Sequence, residues 1–485
     1  MEQKIYDILK KHWGYNSFKG LQKQIIDRTL IKKKHSLVLM PTGAGKSLCY
    51  QVPAMIFEGG TLVISPLIAL MQDQVDGLRK CGIPASFINS TVSKSKREER
   101  LQNFVSGKIK LLYVTPERFR KNTFIGKIKE ADISLLAVDE AHCISEWGHD
   151  FRPDYSRIGE FRAMLGNPLT IALTATATKD VQADIIKKLN LDKNEIKIFH
   201  QGIERPNLRL EVANTYDFES KFKLISQVIE EYSGPGIIYF SLIKTLSEFS
   251  EYLERKGIKH NVYHGKLDAS ERKKMQYNFM SGASNIVLAT NAFGMGVDKA
   301  DIRFVIHAEV TSSVESYYQE IGRSGRDGLA SLCILLYSQN DLLTQMEFIK
   351  WSNPNADYYH RVFDLLMANK DKLNSLDVDY FREQMSFKDK NDFRLETVFS
   401  MLDRYGVTEG SLEEKNLEVV STLPEQLSDD DYLNEKLLSD NKKLLALVNY
   451  INNKNCRRVY ISDYFGFPGE KDCRNCDNCS IKYGE

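Results

Sequence analysis

Between Leu37 and Ser47 the chain reads LVLMPTGAGKS, an arrangement able to hold the phosphates of a nucleotide. A short apolar run of β type, Leu37 to Met40, stops at Pro41. Thr42, Gly43, Ala44, Gly45, Lys46 and Ser47 then lead into LCYQVPAMIF, which can continue as a helix. A glycine loop opening a helix turns successive backbone N–H groups around an anion, and the helix N-terminus adds partial positive charge. Lys46 is placed to reach the β/γ-phosphates and the Ser47 hydroxyl to ligate Mg²⁺. The strict motif has glycine where Met40 stands. Alone, so short a pattern is equally compatible with a plain glycine turn, and residues further along decide between the two.

Asp139, Glu140, Ala141 and His142 follow the apolar run Ser134 to Val138. At the carboxyl end of a strand, Asp139 would hold Mg²⁺ through water, and Glu140 would orient and deprotonate the water that attacks a γ-phosphate. His142 completes the candidate catalytic cluster. The next stretch, CISEWGHDFRPDY, carries Trp147, His149, Phe151 and Arg152 in a polar setting. Aromatic faces stack on unpaired bases and arginine pairs with phosphate, so this loop is a candidate reporter of DNA occupancy to Glu140. The competing reading is a Trp and a Phe that merely plug the core.

In the second half, QEIGRSGRDG supplies Gln319, Arg323 and Arg326. The two arginines are three apart and on one helical turn would project the same way. Across a cleft they would neutralise charge on transferring γ-phosphoryl oxygens. Upstream, ATNAFGMGVDKADI is a glycine-broken loop where backbone and Thr290 would hold a sugar-phosphate strand. At the other end of the chain, Cys456, Cys473, Cys476 and Cys479 form C-x16-C-x2-C-x2-C, a set that saturates a structural Zn²⁺ with four thiolates. The neighbouring Arg457 and Arg458 are either phosphate contacts or solvated charge. Cys49, Cys81, Cys143 and Cys333 are scattered in apolar contexts and read as buried side chains.

Positioning these groups takes a repeated strand and helix rhythm. TLVIS, a helix from Leu67 to Lys80, LLYVT, SLLAVDEAH and TIALTATAT alternate in the first half. After a connector, ERPNLR, the series GIIYF, NVYHG, NIVLAT, IRFVIH and SLCILLY repeats it. Such alternation implies parallel sheets covered on both faces, with ligands at the carboxyl ends of the strands. Residues 4 to 30 read as two helices around a break at HWGYNSFKG. A chain of 485 residues exceeds a single core and should split into about three domains. With 66 basic and 65 acidic residues, binding to a polyanion must rest on local patches. No run reaches a membrane span, and MEQKIYDILKK lacks a signal-peptide apolar region. The expectation is a cytoplasmic protein with no membrane partner.

The ordered set resembles the RecQ DNA helicases of superfamily 2. ISPL at 64 to 67, YVTPER at 113 to 118, LTATAT at 173 to 178 and YHG at 263 to 265 join the motifs above. DEAH with GRSGR would also suit an RNA helicase, whereas the EWGHDFRPDY loop and the terminal cysteines are similar to RecQ specifically. The resemblance runs over about residues 10 to 340 and resumes near Cys456. It implies an α/β fold of two RecA-like lobes, 1–204 with the ATP site and 205–340, using ATP, Mg²⁺ and Zn²⁺. The implied activity is 3′-to-5′ travel on single-stranded DNA and separation of tailed duplexes in recombination and repair. Implied too are a monomer, single-strand-binding or recombination proteins as further partners, and a cytosolic or nucleoid location. Superfamily 2 helicases place an adenine-reading motif at the distance of Gln22 from the phosphate loop. A glutamine amide satisfies both N6 and N7 of adenine, with Tyr15 and Lys19 flanking the base. Lys19 stands where the family usually has arginine, which implies weaker stacking.

Residues 341–440 depart from the family layout. DYYHRVFDLLMANKDKL and NDFRLETVFSMLDRYGV have helical pattern, SLEEKNLEVV follows, and the acidic LSDDDYLNEK reads as a linker. A helical spacer and a small winged-helix insert are both compatible. Residues 441–485 form the four-cysteine module. The family's winged-helix domain comes after its cysteines, and here SIKYGE follows Cys479. A DNA-stimulated ATPase that translocates without unwinding therefore stays open. So does an inactive nucleic-acid-binding scaffold, although the presence of Lys46, Glu140 and Arg326 argues against it.

Overall fold

The structure, a computed structural model, describes all residues except 42, 146, 147, 149, 150, 201, 295, 296, 386–391, 468, 470, 471, 484 and 485, and the side chains of 481–483. Its strands form two parallel sheets and one small hairpin. The first sheet holds β1 (Ser36–Leu39), β2 (Gly60–Ile64), β3 (Ala85–Ile88), β4 (Leu111–Val114), β5 (Ile133–Val138), β6 (Leu169–Thr174) and β7 (Lys197–His200) in the order β3-β4-β2-β5-β6-β1-β7. Successive residues face opposite sides of a strand. Leu37 and Leu39 accordingly join one buried cluster with Leu136 and Val138, while Val38 and Met40 join another with Leu135 and Ala137. Both faces are covered by helices, so these strands are continuous apolar runs.

The second sheet holds β8 (Leu208–Asn214), β9 (Gly236–Tyr239), β10 (Asn261–Tyr263), β11 (Ile286–Ala289), β12 (Phe304–His307) and β13 (Ser331–Tyr337) in the order β10-β11-β9-β12-β13-β8. Its two faces are again separate cores, with Ile237 and Val305 on one and Ile238 and Ile306 on the other. Strands β3, β7 and β8 lie at or next to connectors in which no strand was expected. Each is at a sheet edge, and β7, with only Phe199 buried, lacks the apolar continuity that marks the central strands. The connector's last residues, Leu208 and Arg209, already belong to β8.

Residues 2 to 30 form helices Glu2–Trp13 and Gln22–Leu30, parted at Gly14, whose φ of 73° ends the first helix in a left-handed cap. After β13 the helix Gln339–Ser352 leaves the second lobe, and the helix Asp430–Asn452 returns beside it. Lys436 Nζ donates to Asn353 Oδ1 at 2.6 Å, and Asn353 Nδ2 to Asp440 Oδ2 at 3.1 Å, tying the two together. Between them lies an insert with a core of its own around Tyr359, Val362, Phe381, Val398 and Leu402. It comprises helices Ala356–Ala368, Val378–Gln384 and Arg394–Arg404, then an antiparallel hairpin of β14 (Thr408–Glu409) and β15 (Glu418–Val419). Three helices followed by a hairpin is the element order of a winged helix.

The acidic stretch expected as a linker is instead the start of the 23-residue helix Asp430–Asn452. Asp429 Oδ1 accepts from Asp431 N at 2.9 Å, and carboxylates at a helix N-terminus complement its dipole. Among the described residues no helix is long and apolar enough to cross a membrane.

Candidate nucleotide, metal and strand sites

The phosphate loop joins β1 to the helix Leu48–Ala54. Gly43 and Gly45 adopt φ of 82° and 75°, a region that disfavours a side chain. Both glycines are also points of close approach. A Cβ on Gly45 would collide with Gln22 Nε2, and one on Gly43 would lie 3.2 Å from Cδ of Arg326. Met40, where the strict motif has glycine, is fully buried among Val38, Val63 and Leu173 and belongs to the core. Lys46 Nζ donates to Met40 O at 3.2 Å. The Ser47 side chain lies beside the Tyr50 hydroxyl. Ala44 O accepts from Gln22 Nε2 at 3.2 Å and Gly45 O at 3.1 Å, while Lys19 N donates to Gln22 Oε1 at 2.9 Å. The Gln22 amide is thus engaged with the phosphate loop itself. Tyr15 and Lys19 are exposed nearby in sequence, and Thr42 lies outside the described residues.

Asp139 ends β5, two strands from β1 with β6 between them. Burial pushes its carboxyl group upward, Glu140 adds to the rise, and Lys46 opposes it. Glu140 sits in the left-handed region at φ 45°, a strained conformation for a residue with a side chain. Its Oε2 is 3.3 Å from His142 Nδ1, and that nitrogen also lies 2.9 Å from Thr174 Oγ1 at the end of β6. Because Thr174 Oγ1 donates to Thr176 O at 3.0 Å, the imidazole nitrogen is the donor in the pair. Tyr155 OH donates to Asp139 O at 3.1 Å, which ties the end of the 143–155 segment to the acidic motif.

Within that segment, Trp147 and His149 lie outside the described residues. Phe151 lines a cleft of about 780 Å³ between the lobes and the insert. Arg152 Nη1 donates to Pro66 O at 2.9 Å, so one end of its guanidinium braces the ISPL turn. Thr290 is only 8% exposed after β11, where its amide donates to Tyr263 O.

The expected projection of Arg323 and Arg326 from one helical turn does not occur. The helix Val314–Ile321 carries the half-buried Gln319 and stops before either arginine, and turns with Gly325 at φ 55° follow. Arg323 is buried and donates to Gly294 O. Arg326 donates to Val297 O at 3.1 Å and Asp298 Oδ1 at 2.6 Å, with its stem against the phosphate loop. Of the two arginines, it is Arg326 that reaches the other lobe.

Cys456, Cys473, Cys476 and Cys479 bring their sulfurs within 4.8 Å of one another. A tetrahedral zinc with Zn–S near 2.3 Å has edges of roughly 3.8 Å, so the donor set fits a structural ion. The module packs on the second lobe: Cys476 bridges Leu210 of β8, and Asp477 Oδ2 accepts from Val212 N at 3.0 Å. Arg457 is buried and ion-paired with Asp477 at 2.9 Å, and Arg458 donates to Leu208 O, so the backbone of the fold takes up both. Cys49, Cys143 and Cys333 are buried, and Cys81 is half-buried.

Three groups escaped the sequence reading. Arg120 pairs with the buried Asp154, Nε to Oδ1 at 2.9 Å, and also donates to Asp403 O at 2.9 Å and to Arg404 O of the insert. Lys443 Nζ donates to Gly148 O at 3.0 Å. Both contacts join residues more than 280 positions apart, and no local pattern announces them. Thr174 did lie in a quoted motif, but its partner His142 was 32 residues away.

Family models match three stretches: DEAD/DEAH box helicase at 19–184, helicase conserved C-terminal domain at 220–328, and RecQ zinc-binding at 421–480. The ATP-dependent DNA helicase RecQ of Bacillus subtilis is 43% identical over 354 residues, which are 73% of this chain and 59% of that protein. The same organism's probable ATP-dependent DNA helicase RecS is 38% identical over 371 residues, 76% of this chain and 74% of that protein. Among solved structures, the Mycobacterium smegmatis helicase Lhr bound to ssDNA and AMP-PNP matches with a TM-score of 0.55 at 19% identity, over 72% of this chain and 49% of that one. This last likeness is one of fold. The chain spans a little over half the length of the RecQ protein it matches. With two parallel-sheet lobes, the helicase motifs at their strand ends and a four-cysteine zinc module, the chain belongs to the RecQ family of DNA helicases.

Proposed function

We propose that the chain is an ATP-dependent DNA helicase that moves 3′-to-5′ along a single strand and separates tailed duplexes in recombination and repair. Its parts are a nucleotide-holding lobe at 1–204, a second lobe at 205–340, the insert and returning helix at 341–440 and the zinc module at 441–485. The observation that carries the reading is the approach of Arg326 to Gly43, because it puts a cation of the second lobe on the phosphate loop of the first.

ATP supplies a γ-phosphoryl group whose negative charge spreads during transfer. Lys46 would exchange its bond to Met40 O for phosphate oxygens, and Ser47 and Asp139 are the residues to hold Mg²⁺. Glu140 takes the proton of the attacking water, and Arg326 neutralises the developing charge. His142, bonded to Thr174, carries the state of this site to the end of β6. Since Arg326 gains most when a γ-phosphate is present, ATP favours the closed pair of lobes and hydrolysis releases it. If each lobe also grips the strand, alternate closing and opening is a step. The names of the relatives support DNA as the substrate. The test is strand displacement on matched duplexes with a 3′ tail, a 5′ tail or none. Selective opening of the 3′-tailed duplex, lost in Lys46→Ala, is the expected result. ATP turnover without displacement would favour a translocase.

A further inference from the structure

The insert falls between the matched segments: residues 329–420 lie outside all three family models. The structure places it against a cleft of about 780 Å³, which it shares with both lobes. One wall is the carboxyl edge of the second sheet, where Ser241, Asn291 and Glu309 follow β9, β11 and β12. Parallel sheets bind ligands along this edge. A second wall is Gly148 and Phe151 of the segment after the acidic motif. The third is the helix Arg394–Arg404 with Phe393 before it.

Each acidic group of the cleft already has a hydrogen-bond or ion-pair partner. Glu309 accepts from Ser241 N at 2.6 Å and Leu242 N at 3.1 Å, Glu320 pairs with His307 at 2.7 Å, and Glu396 pairs with Arg382. Asp440 pairs with Lys436 and Lys443. Among the described residues this leaves Arg404, which is exposed and has no carboxylate within ion-pair reach, as the lining cation available to an anion. Phe393 is 43% exposed, although its ring rests edge-on against Trp351. An exposed aromatic face, a second aromatic across the cleft at Phe151 and an unpaired guanidinium make the combination that binds unpaired bases and their phosphates.

Resting on the helicase reading above, we propose that the insert forms the outer wall of the single-strand channel, with Phe393 stacking on a base and Arg404 holding a phosphate. The strand then passes between the insert and the carboxyl edge of the second sheet. The contact of Lys443 with Gly148 and that of Arg120 with the insert hold this wall in place.

The test uses the full chain with a non-hydrolysable ATP analogue and labelled oligothymidylate. Phe393→Ala and Arg404→Ala are each expected to weaken binding about tenfold. Phe393→Trp and Arg404→Lys should restore most of it, and Arg404→Ala alone should flatten the dependence on salt by about one phosphate contact. In the unsubstituted protein, an oligonucleotide carrying 5-iodouracil should photo-cross-link to the peptide that contains Phe393, a readout that needs no variant to fold. Cross-links confined to the two lobes, with both alanine variants binding as the parent does, would overturn the insert's role and leave the helicase reading standing. Failure of the unsubstituted protein to bind the oligonucleotide would overturn both.

Discussion

The stem of Arg326 lies against Gly43 so closely that a methyl group on the glycine would come within 3.2 Å of its Cγ and Cδ. The guanidinium is steadied by Asp298 and Val297 O, so its position is set by the second lobe while its contact is with the first. Arg326→Ala should lower kcat for ATP by about 10³ with little change in KM, as removal of an arginine finger does. Gly43→Ala should lower kcat as well, because it strains a φ of 82° and pushes on Arg326. Steady-state ATPase measured with saturating DNA checks both. A rise in KM with kcat unchanged would assign Arg326 to ground-state binding.

Gln22 holds the phosphate loop by two carbonyls. Gln22→Ala should therefore weaken binding of a phosphate ligand that has no base, inorganic triphosphate, in addition to ATP. A loss of about tenfold for both ligands, read by equilibrium binding, is expected from two hydrogen bonds of about 0.5–1.5 kcal/mol each. A loss confined to ATP would make the amide a reader of adenine only.

The pair His142 and Thr174 spans two neighbouring strands at the catalytic edge. Thr174→Val keeps the shape and removes one acceptor of the buried imidazole, whose Nδ1 keeps its contact with Glu140 Oε2, at a cost of about 0.5–1.5 kcal/mol. We expect strand displacement to fall more than ATP turnover. Parallel assays of the two on one preparation give the ratio, and an unchanged ratio would remove Thr174 from coupling.

Zinc content should be one ion per chain by colorimetric release. Cys476→Ser should abolish it, because the serine hydroxyl is a poor replacement for a thiolate donor. Cys476 is buried against Leu210 of β8, so the loss should also lower Tm and raise hydrogen exchange along that edge strand. Apparent zinc affinity in such sites is on the order of 10 kcal/mol, which makes a silent substitution an unlooked-for result.

Arg120 links the first lobe to the insert, bonded to Asp154 on one side and to the carbonyl end of the helix Arg394–Arg404 on the other. Arg120→Ala leaves Asp154 buried without its ion partner, at about 3–5 kcal/mol. Urea unfolding should show that loss, and hydrogen exchange should rise in residues 403–409. Combining it with Asp154→Asn should recover part of the stability, since no buried charge is then left alone.

Much of this molecule was legible because its chemistry is local. Gly43 to Ser47, Asp139 to His142 and the cysteines each occupy a few consecutive or closely spaced positions, and the strands that carry the first two are unbroken apolar runs buried on both faces. The parallel sheets followed from alternation alone. Edge strands β3, β7 and β8 were not legible: β3 and β7 have four residues each, and β8, though it has seven, starts inside the connector and mixes buried with half-buried and exposed positions. The stretch LSDDDYLNEK, residues 427–436, misled by its acidity, which serves to cap a helix.

By itself the sequence determined which residue types are present for phosphate, water, zinc and base stacking, and the helix and strand periods that carry them. What only the tertiary structure decided is which of them meet. Arg323 and Arg326 are near neighbours in the chain, yet one turns into its own lobe and the other reaches across to Gly43. Arg120 finds the insert 283 positions later, and Phe393 faces the same cleft as Phe151. Contacts of this kind depend on how layers pack and where turns redirect side chains, and no local period encodes either.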